Sequence, residues 1–335
     1  MITRRLAMLA GASALTACAP MVQSARQPPP GFDGARLEPR TFVSFDGARL
    51  PLRTWAADGE PWAVIVGLHG MNDYAAAFWM AGPWWAKQGI TTYAYDQRGF
   101  GRAPDRGVWG GRALMAEDLR TLCGLLRKRH PHATIAVAGE SMGGAVAITA
   151  FADRPPDADR LVLLAPAIWG WSAQPVINRV AVWFAAHTVG DQAIEPPQTF
   201  ARRIVASDNM PELRRMGRDP LMIWGTRPDA VYGLMNLMEQ ARSSLRYVRA
   251  PVAYLYGEHD EIIPHQPTFQ AAHQLKPTDR SAYYANGWHV LLRDYQAETV
   301  WRDVVGFLRD PAAPLLSGAP AIPGAPTPPN GQSFR

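Results

Sequence analysis

Short, continuous apolar runs recur along the middle of the chain and alternate with longer stretches in which apolar residues have helical spacing. A run of this length is typical of a strand buried on both faces of a parallel sheet. Strands that alternate with helices in chain order predict a parallel, doubly wound sheet. The predicted strands lie at residues 62–68, 91–95, 134–138, 161–165, 252–256 and 281–284.

The alternation of predicted strands and helices is preceded by a hairpin and is interrupted by one long segment. Short strand patterns on either side of Asp46-Gly47 predict an antiparallel turn. Residues 166–250 contain helical patches without a clear strand. The chain therefore predicts an α/β fold, with antiparallel N-terminal strands on a mostly parallel sheet, a core at 41–165 and 251–309, and a helical cap at 166–250.

The N-terminus resembles an export signal. Two arginines precede an alanine-rich apolar run at 6–15, which is shorter than the roughly twenty residues needed to cross a bilayer. The segment at 15–18 resembles the lipobox of bacterial lipoproteins, in which a cysteine receives lipid and becomes the mature N-terminus. We therefore expect a signal peptide at 1–17 and lipidation of Cys18.

This resemblance implies a lipid-anchored protein of the bacterial cell envelope that reaches its membrane partner through Cys18. Because Ala19 rather than an aspartate follows the cysteine, it points to the outer membrane, with the protein facing the periplasm. A soluble periplasmic or secreted protein is the alternative. The proline-rich segment at 18–40 is expected to be a flexible tether, and residues 310–335 a disordered tail.

Charge and cysteine content argue against several other functions. Lys plus Arg is 34 and Asp plus Glu is 29, for a net charge of +5. No run of like charges indicates a nucleic-acid partner. Two cysteines are too few for a disulfide framework, and Cys123 is expected to be a buried, unreactive thiol. Because neither G-x-G-x-x-G after the first strand nor H-E-x-x-H is present, we expect no cofactor and no metal.

A nucleophile motif follows the apolar run at 134–138. Residues 139–143 read Gly-Glu-Ser-Met-Gly and fit G-x-S-x-G, in which a serine occupies a tight strand-to-helix turn. The glycines are needed because side chains at their positions would clash with neighbouring backbone. Ser141 is therefore the candidate nucleophile.

Four further segments extend the match, and with the motif they resemble the α/β-hydrolase family over about residues 40–309. Within that family the chain is most similar to the monoacylglycerol lipase and lysophospholipase branch, which has Gly-x-Ser-Met-Gly-Gly and a helical cap. The matching segments are His69-Gly70-Met71-Asn72, Asp96 to Gly101, Gly257 to Asp260, and Gly287-Trp288-His289.

The resemblance implies a catalytic triad in the chain order serine, acid, histidine. Ser141 would attack the substrate, His289 would accept the serine proton, and Asp260 would fix the histidine tautomer. Glu258 and Glu261 are the alternative acids.

The resemblance also implies an oxyanion hole made by the backbone N–H groups of Met71 and Met142. His69 is expected to brace the loop that contains Met71.

The expected substrate is a lipid-like carboxylic ester, either a monoacylglycerol or a lysophospholipid. The cap is rich in apolar and aromatic residues, which suit an acyl chain, although most of them must pack the cap itself. A small-ester carboxylesterase, an acyltransferase, an amide hydrolase and a non-catalytic envelope lipoprotein are the alternatives. The cap residues concerned are Trp169, Trp171, Trp183, Phe184, Met222, Trp224, Met235 and Met238.

Overall fold

A mixed sheet of nine strands lies at the centre of the protein, in a computed structural model that describes residues 19–195 and 205–326. Its spatial order is β1-β2-β3-β5-β4-β6-β7-β8-β9. The strands are β1 (Arg36–Glu38), β2 (Thr41–Val43), β3 (Arg49–Trp55), β4 (Ala63–Leu68), β5 (Ile90–Tyr95), β6 (Thr134–Glu140), β7 (Arg160–Leu164), β8 (Val252–Gly257) and β9 (Arg280–Tyr284).

Strand directions confirm the predicted α/β-hydrolase fold. β1 pairs antiparallel with β2, β2 with β3, and β3 with β5. The pairings from β5 through β4, β6, β7 and β8 to β9 are all parallel. Leu68 on β4 lies opposite Gly139 on β6, so the loops that follow these two strands begin side by side.

Helices cover both faces of the sheet and bury two separate apolar clusters. Val64 and Val66 of β4 belong to one cluster and Ala63 and Ile65 to the other, as the alternation of side chains along a strand requires. This burial on two faces explains the continuous apolar runs. The helices are α1 (Ala81–Ala86), α2 (Arg112–Arg129), α3 (Met142–Asp153), α4 (Val176–Thr188), α5 (Met210–Arg218), α6 (Pro228–Ser244), α7 (His265–Ala272) and α8 (Ala297–Arg309).

The segment predicted as a cap carries α4, α5 and α6 between β7 and β8. Helix α6 packs against α3, which follows the nucleophile motif, and against α4. A backbone bridge joins Ile194 to Thr226 across the cap. Residues 196–204 of this segment lie outside the described residues. No helix within the described ranges has the length and apolar character needed to span a membrane.

The C-terminal segment differs from the predicted disordered tail at 310–335. The carbonyl of Pro320 accepts a 2.7 Å hydrogen bond from the N–H of Tyr283 on β9, and Ile322 is buried. The described part of the tail thus covers the outer edge of β9, where backbone groups would otherwise lack partners. Residues 327–335 lie outside the described part of the chain.

The segment predicted as a flexible tether also makes defined contacts with the core. Val22 forms a parallel bridge with Trp109, and the N–H of Gln23 donates to the Trp109 carbonyl at 2.9 Å. Further along, the segment contributes β1 to the edge of the sheet. The predicted signal peptide at 1–17 and the predicted lipidation site Cys18 lie outside the described residues.

Candidate active site

Ser141 lies in the tight turn between β6 and α3, with φ of 52° and ψ of −116°. A residue with a side chain rarely adopts this conformation, so the surrounding fold holds the turn under strain. A Cβ atom on Gly139 would lie 2.6 Å from the Gly143 carbonyl oxygen, and one on Gly143 would overlap the carbonyl of Leu68. Both motif glycines are therefore required because backbone approaches closely on either side of the serine.

The two predicted oxyanion donors, the N–H groups of Met71 and Met142, follow the neighbouring strands β4 and β6. Met142 is the first residue of α3, where backbone N–H groups have no partner within the helix. Met71 follows Gly70, and a Cβ atom on Gly70 would lie 3.3 Å from the Cβ of Ser141. The loop containing Met71 therefore passes directly beside the serine, which is where an oxyanion donor is needed.

His69 is buried beneath this loop and is held by two hydrogen bonds. Its Nε2 accepts from the N–H of Gln97 at 2.9 Å, and its Nδ1 lies 2.8 Å from the carbonyl oxygen of Gly70. Because Nε2 is an acceptor, Nδ1 must carry the proton and donate to that carbonyl. Burial lowers the pKa of His69, which keeps the ring neutral. These contacts agree with the predicted bracing role.

Asp260 is the carboxylate that contacts His289. The distance from Asp260 Oδ2 to His289 Nδ1 is 2.8 Å, and both side chains are buried. Asp260 Oδ1 accepts from the backbone N–H groups of Ile262 and Ile263, which fixes the orientation of the carboxylate. The alternative acid Glu258 is exposed on the same turn.

The turns that contain Asp260 and His289 pack against each other at Gly257 and Gly287. A Cβ atom on Gly257 would overlap the backbone of Gly287, so the two turns can approach only because both positions lack a side chain. Among the described residues, no hydrogen bond joins Ser141 Oγ to His289. Catalytic contacts of this kind are often long before substrate binds.

Asp294 fixes the backbone around the histidine. Its Oδ2 accepts from the N–H of Trp288 at 2.8 Å, and its Oδ1 accepts from the hydroxyl of Ser207 at 2.6 Å. The N–H of His289 donates to the carbonyl of Ala206. Burial raises the pKa of Asp294 to about 7. The cap segment beginning at 205 is thus fastened directly to the turn that contains His289.

A buried ion cluster that no motif signalled lies behind the serine turn. The guanidinium of Arg293 is 2.8 Å from Asp73 Oδ2, 2.7 Å from Glu140 Oε1 and 4.0 Å from Glu212 Oε1. Arg293 is fully buried. The only sequence signal was a pair of opposite charges, with Glu140 immediately before Ser141 and Arg293 shortly after the candidate histidine.

The cluster joins four segments around Arg293 and includes a second positive charge, because Arg215 of α5 donates two hydrogen bonds of 2.7 Å to Glu212. Asp73 belongs to the loop that contains Met71, which we call the candidate oxyanion loop, and Glu140 to the end of β6. Arg293 belongs to the turn that contains His289, which we call the histidine turn, and Glu212 to α5 of the cap. It is an ion-pair network, and within residues 19–195 and 205–326 no group of three or more His, Cys, Asp or Glu is arranged to hold a metal.

Opposing effects act on the pKa of His289. Burial disfavours the protonated ring, but the charge and hydrogen bond of Asp260, with a contribution from Glu140, outweigh burial and raise the pKa above its ordinary value of 6.5. A general base must be neutral to accept a proton. The arrangement therefore favours the imidazolium that would form on proton transfer from a serine.

Glu140→Gln is expected to lower the pKa of His289, because it removes a negative charge and leaves Arg293 less compensated nearby. An NMR titration of isotope-labelled histidine, with His289→Gln to assign the signal, measures this directly. The wild-type midpoint should lie above pH 6.5. Glu258→Gln, at an exposed carboxylate, is the matched control and should leave the midpoint in place. An unchanged midpoint in Glu140→Gln would contradict the coupling.

Comparisons with known proteins show the family of the chain. The chain matches a family model described as serine aminopeptidase, S33, over residues 59–296. The monoacylglycerol lipase of Mycolicibacterium smegmatis is 28% identical over 215 residues, which cover 63% of this chain and 74% of that protein. The monoglyceride lipase of Rattus norvegicus is 24% identical over 248 residues, which cover 72% and 80% of the two chains.

Solved structures share the fold at lower identity. The Paleococcus ferrophilus monoacylglycerol lipase aligns with a TM-score of 0.66 and 20% identity, over 78% of this chain and 99% of that chain. A soluble variant of the Saccharomyces cerevisiae monoglyceride lipase, in complex with a substrate analog, aligns with a TM-score of 0.67 and 15% identity, over 87% and 100%. Since the family model covers more than half of the sequence, the chain belongs to the serine aminopeptidase S33 family of α/β-hydrolases.

Proposed function

We propose that this hydrolase cleaves carboxylic esters of monoacyl lipids, either monoacylglycerols or lysophospholipids, through an acyl-enzyme on Ser141. The observation that carries the proposal is the buried Asp260–His289 hydrogen bond, which supplies a base at the same sheet edge as the strained serine turn. A serine hydroxyl is a weak nucleophile at neutral pH and needs such a base.

Acylation follows from these groups. Ser141 Oγ attacks the ester carbonyl carbon while His289 Nε2 accepts the hydroxyl proton, and Asp260 stabilises the resulting imidazolium. The carbonyl oxygen becomes an oxyanion that accepts hydrogen bonds from the N–H groups of Met71 and Met142. The bond to the alcohol oxygen then breaks, and the imidazolium returns its proton to that oxygen.

Deacylation repeats the same steps with water. His289 takes a proton from water as the water oxygen attacks the acyl carbon on Ser141. The second tetrahedral intermediate collapses, Ser141 recovers the proton, and a fatty acid leaves. The neutral histidine is then available for another cycle.

The lipid character of the substrate rests on the relatives and on the cap. The curated relatives are named as monoacylglycerol or monoglyceride lipases. Helix α4 of the cap exposes several large apolar side chains, which a water-soluble polar substrate would not need. The exposed side chains are Val176, Ile177, Val180, Trp183 and Phe184.

Hydrolysis of an ester panel by the wild type and Ser141→Ala tests the proposal. Loss of the nucleophile should lower kcat by about 10⁶-fold, the order seen when a serine nucleophile is removed. Ser243→Ala, at an exposed serine on α6, is the control and should retain activity. The panel holds monoacylglycerols, lysophospholipids, short p-nitrophenyl esters and an amino-acid p-nitroanilide.

The substrate preference on the panel distinguishes the proposed function from its alternatives. Highest kcat/KM on monoacyl lipids supports the proposed substrate, whereas activity restricted to short esters indicates a small-ester carboxylesterase. Cleavage of the anilide alone would indicate an aminopeptidase. Near-wild-type activity in Ser141→Ala would refute the role of that serine, and a wild type inert to the whole panel would favour a non-catalytic protein.

We also propose that lipid on Cys18 anchors the protein to the bacterial outer membrane, facing the periplasm. The proposal rests on the signal-like sequence before Cys18 and on the Ala19 that follows it. A lipid chain adds membrane affinity in proportion to its buried methylene groups.

Cys18→Ser is expected to move the protein from the membrane pellet to the soluble fraction after cell lysis. Cys123→Ala is the matched control, because Cys123 is a free, buried thiol in α2. It should pellet like the wild type. Unchanged pelleting of Cys18→Ser would refute the anchor.

A further inference from the structure

The loop that follows β4 turns sharply at Met71 and Asn72. The N–H of Asp73 donates to the carbonyl of Gly70 at 3.3 Å, and Asn72 has φ of 65°. A positive φ at the third residue is the mark of a type II turn, a position that glycine and asparagine occupy most readily. No backbone carbonyl in the described part of the chain accepts from the N–H of Met71, which leaves that group available as an oxyanion donor.

The cap holds Asn72 at two points. The N–H of Ile223 donates to the carbonyl oxygen of Asn72 at 3.0 Å, and Asn72 Nδ2 donates to Thr226 Oγ1 at 2.7 Å. Ile223 and Thr226 both lie between α5 and α6. Within residues 19–195 and 205–326, Asn72 makes no hydrogen bond to the core of the fold. Its conformation is therefore supported from the cap.

Thr226 is itself fixed within the cap. Its N–H donates to the carbonyl of Ile194, and its carbonyl accepts from the N–H of Ile194, both at 3.0 Å. The two residues thus form an antiparallel bridge. Because both backbone groups of Thr226 are paired in this way, its hydroxyl moves together with the surrounding cap. A shift of the cap is therefore transmitted to Asn72.

The core holds the two ends of the same turn. A Cβ atom on Gly70 would lie 3.3 Å from the Cβ of Ser141, and Asp73 Oδ2 lies 2.8 Å from the buried guanidinium of Arg293. The first and last residues of the turn are thus fixed beside the nucleophile and the ion cluster, whereas the middle of the turn is held by the cap. The direction in which the N–H of Met71 points therefore depends on contacts from both the core and the cap.

We infer that Asn72 is a positioning residue, which holds the N–H of Met71 in the oxyanion hole while the cap is packed on the core. The inference rests on the proposed function. An oxyanion donor lowers the barrier only if it is already aimed at the place where negative charge develops. Without the hydrogen bond to Thr226 the middle of the turn would relax, because a positive φ is unfavourable for a residue with a side chain. Cap placement and stabilisation of the oxyanion are coupled in this way.

Thr226→Val in the full-length protein removes the hydroxyl and keeps the shape of the side chain. We expect kcat for p-nitrophenyl octanoate to fall by about tenfold with little change in KM, because complete loss of an oxyanion donor costs about 10²–10³ in kcat and here the donor is only misaligned. Thr188→Val is the matched control, since that cap hydroxyl donates to the carbonyl of Phe184 in its own helix. It should retain the kcat of the wild type.

Substitutions at Asn72 separate its side-chain bond from its backbone conformation. Asn72→Gly keeps the positive φ and loses the amide, so it should match Thr226→Val, and the double variant should be no slower than either. Asn72→Ala also disfavours the positive φ and should lower kcat by about 10²-fold. If Asn72→Ala does not fold, the other two variants decide the matter. Additive losses in the double variant, or wild-type kcat in Asn72→Gly, would overturn the inference.

A transition-state analogue gives a readout that a purely structural role would not move. An octyl trifluoromethyl ketone forms a tetrahedral adduct with a reactive serine, and its affinity should fall in each variant by the same factor as kcat/KM. Circular dichroism and fluorophosphonate labelling establish that each variant is folded with a reactive serine. Unchanged kcat, or a change confined to KM, in folded Thr226→Val overturns the inference. A wild type that cleaves no ester and takes no fluorophosphonate overturns the proposed function, and the inference with it.

Discussion

The site is organised around one buried positive charge that must be neutralised. Arg293 is fully buried, and an unpaired guanidinium in the interior would be strongly unfavourable. Asp73 and Glu140 supply the close compensating carboxylates. Glu212 of the cap lies 4.0 Å from Arg293 and is itself paired with Arg215. Keeping these groups close to Arg293 restricts how far the candidate oxyanion loop, the serine turn, the histidine turn and the cap can move relative to one another.

The same cluster links geometry to electrostatics. Burial of His289 alone would keep the ring neutral, but Asp260 and Glu140 favour its protonated form, while Arg293 opposes them. The cluster therefore adjusts how readily the imidazolium forms. Buried ion pairs contribute little net stability compared with apolar packing. In this chain we interpret the cluster as a device that fixes orientation, because Asp73, Glu140 and Arg293 lie within one to four residues of Met71, Ser141 and His289.

Local patterns predicted the strands, the hairpin and the candidate nucleophile Ser141, because these features are encoded by neighbouring residues. The candidate acid Asp260 and the candidate base His289 came from the resemblance to the α/β-hydrolase family. The ion cluster was not predictable in this way, since Glu140 and Arg293 are 153 positions apart. The contacts of the described terminal segments were not predictable for a similar reason. Their proline-rich composition indicated disorder, but Val22 and Ile322 are held by contacts with Trp109 and the sheet that only the folded chain creates.

Reaction of the folded, full-length protein with a fluorophosphonate, followed by intact-mass measurement and peptide mapping, tests the catalytic interpretation most directly. The reagent forms a stable adduct with a serine that an adjacent base has activated. We expect one adduct per chain, on the peptide that contains Ser141. An adduct on another residue, or none on folded protein, would contradict the interpretation of this turn and the Asp260–His289 pair as an acyl-transfer site.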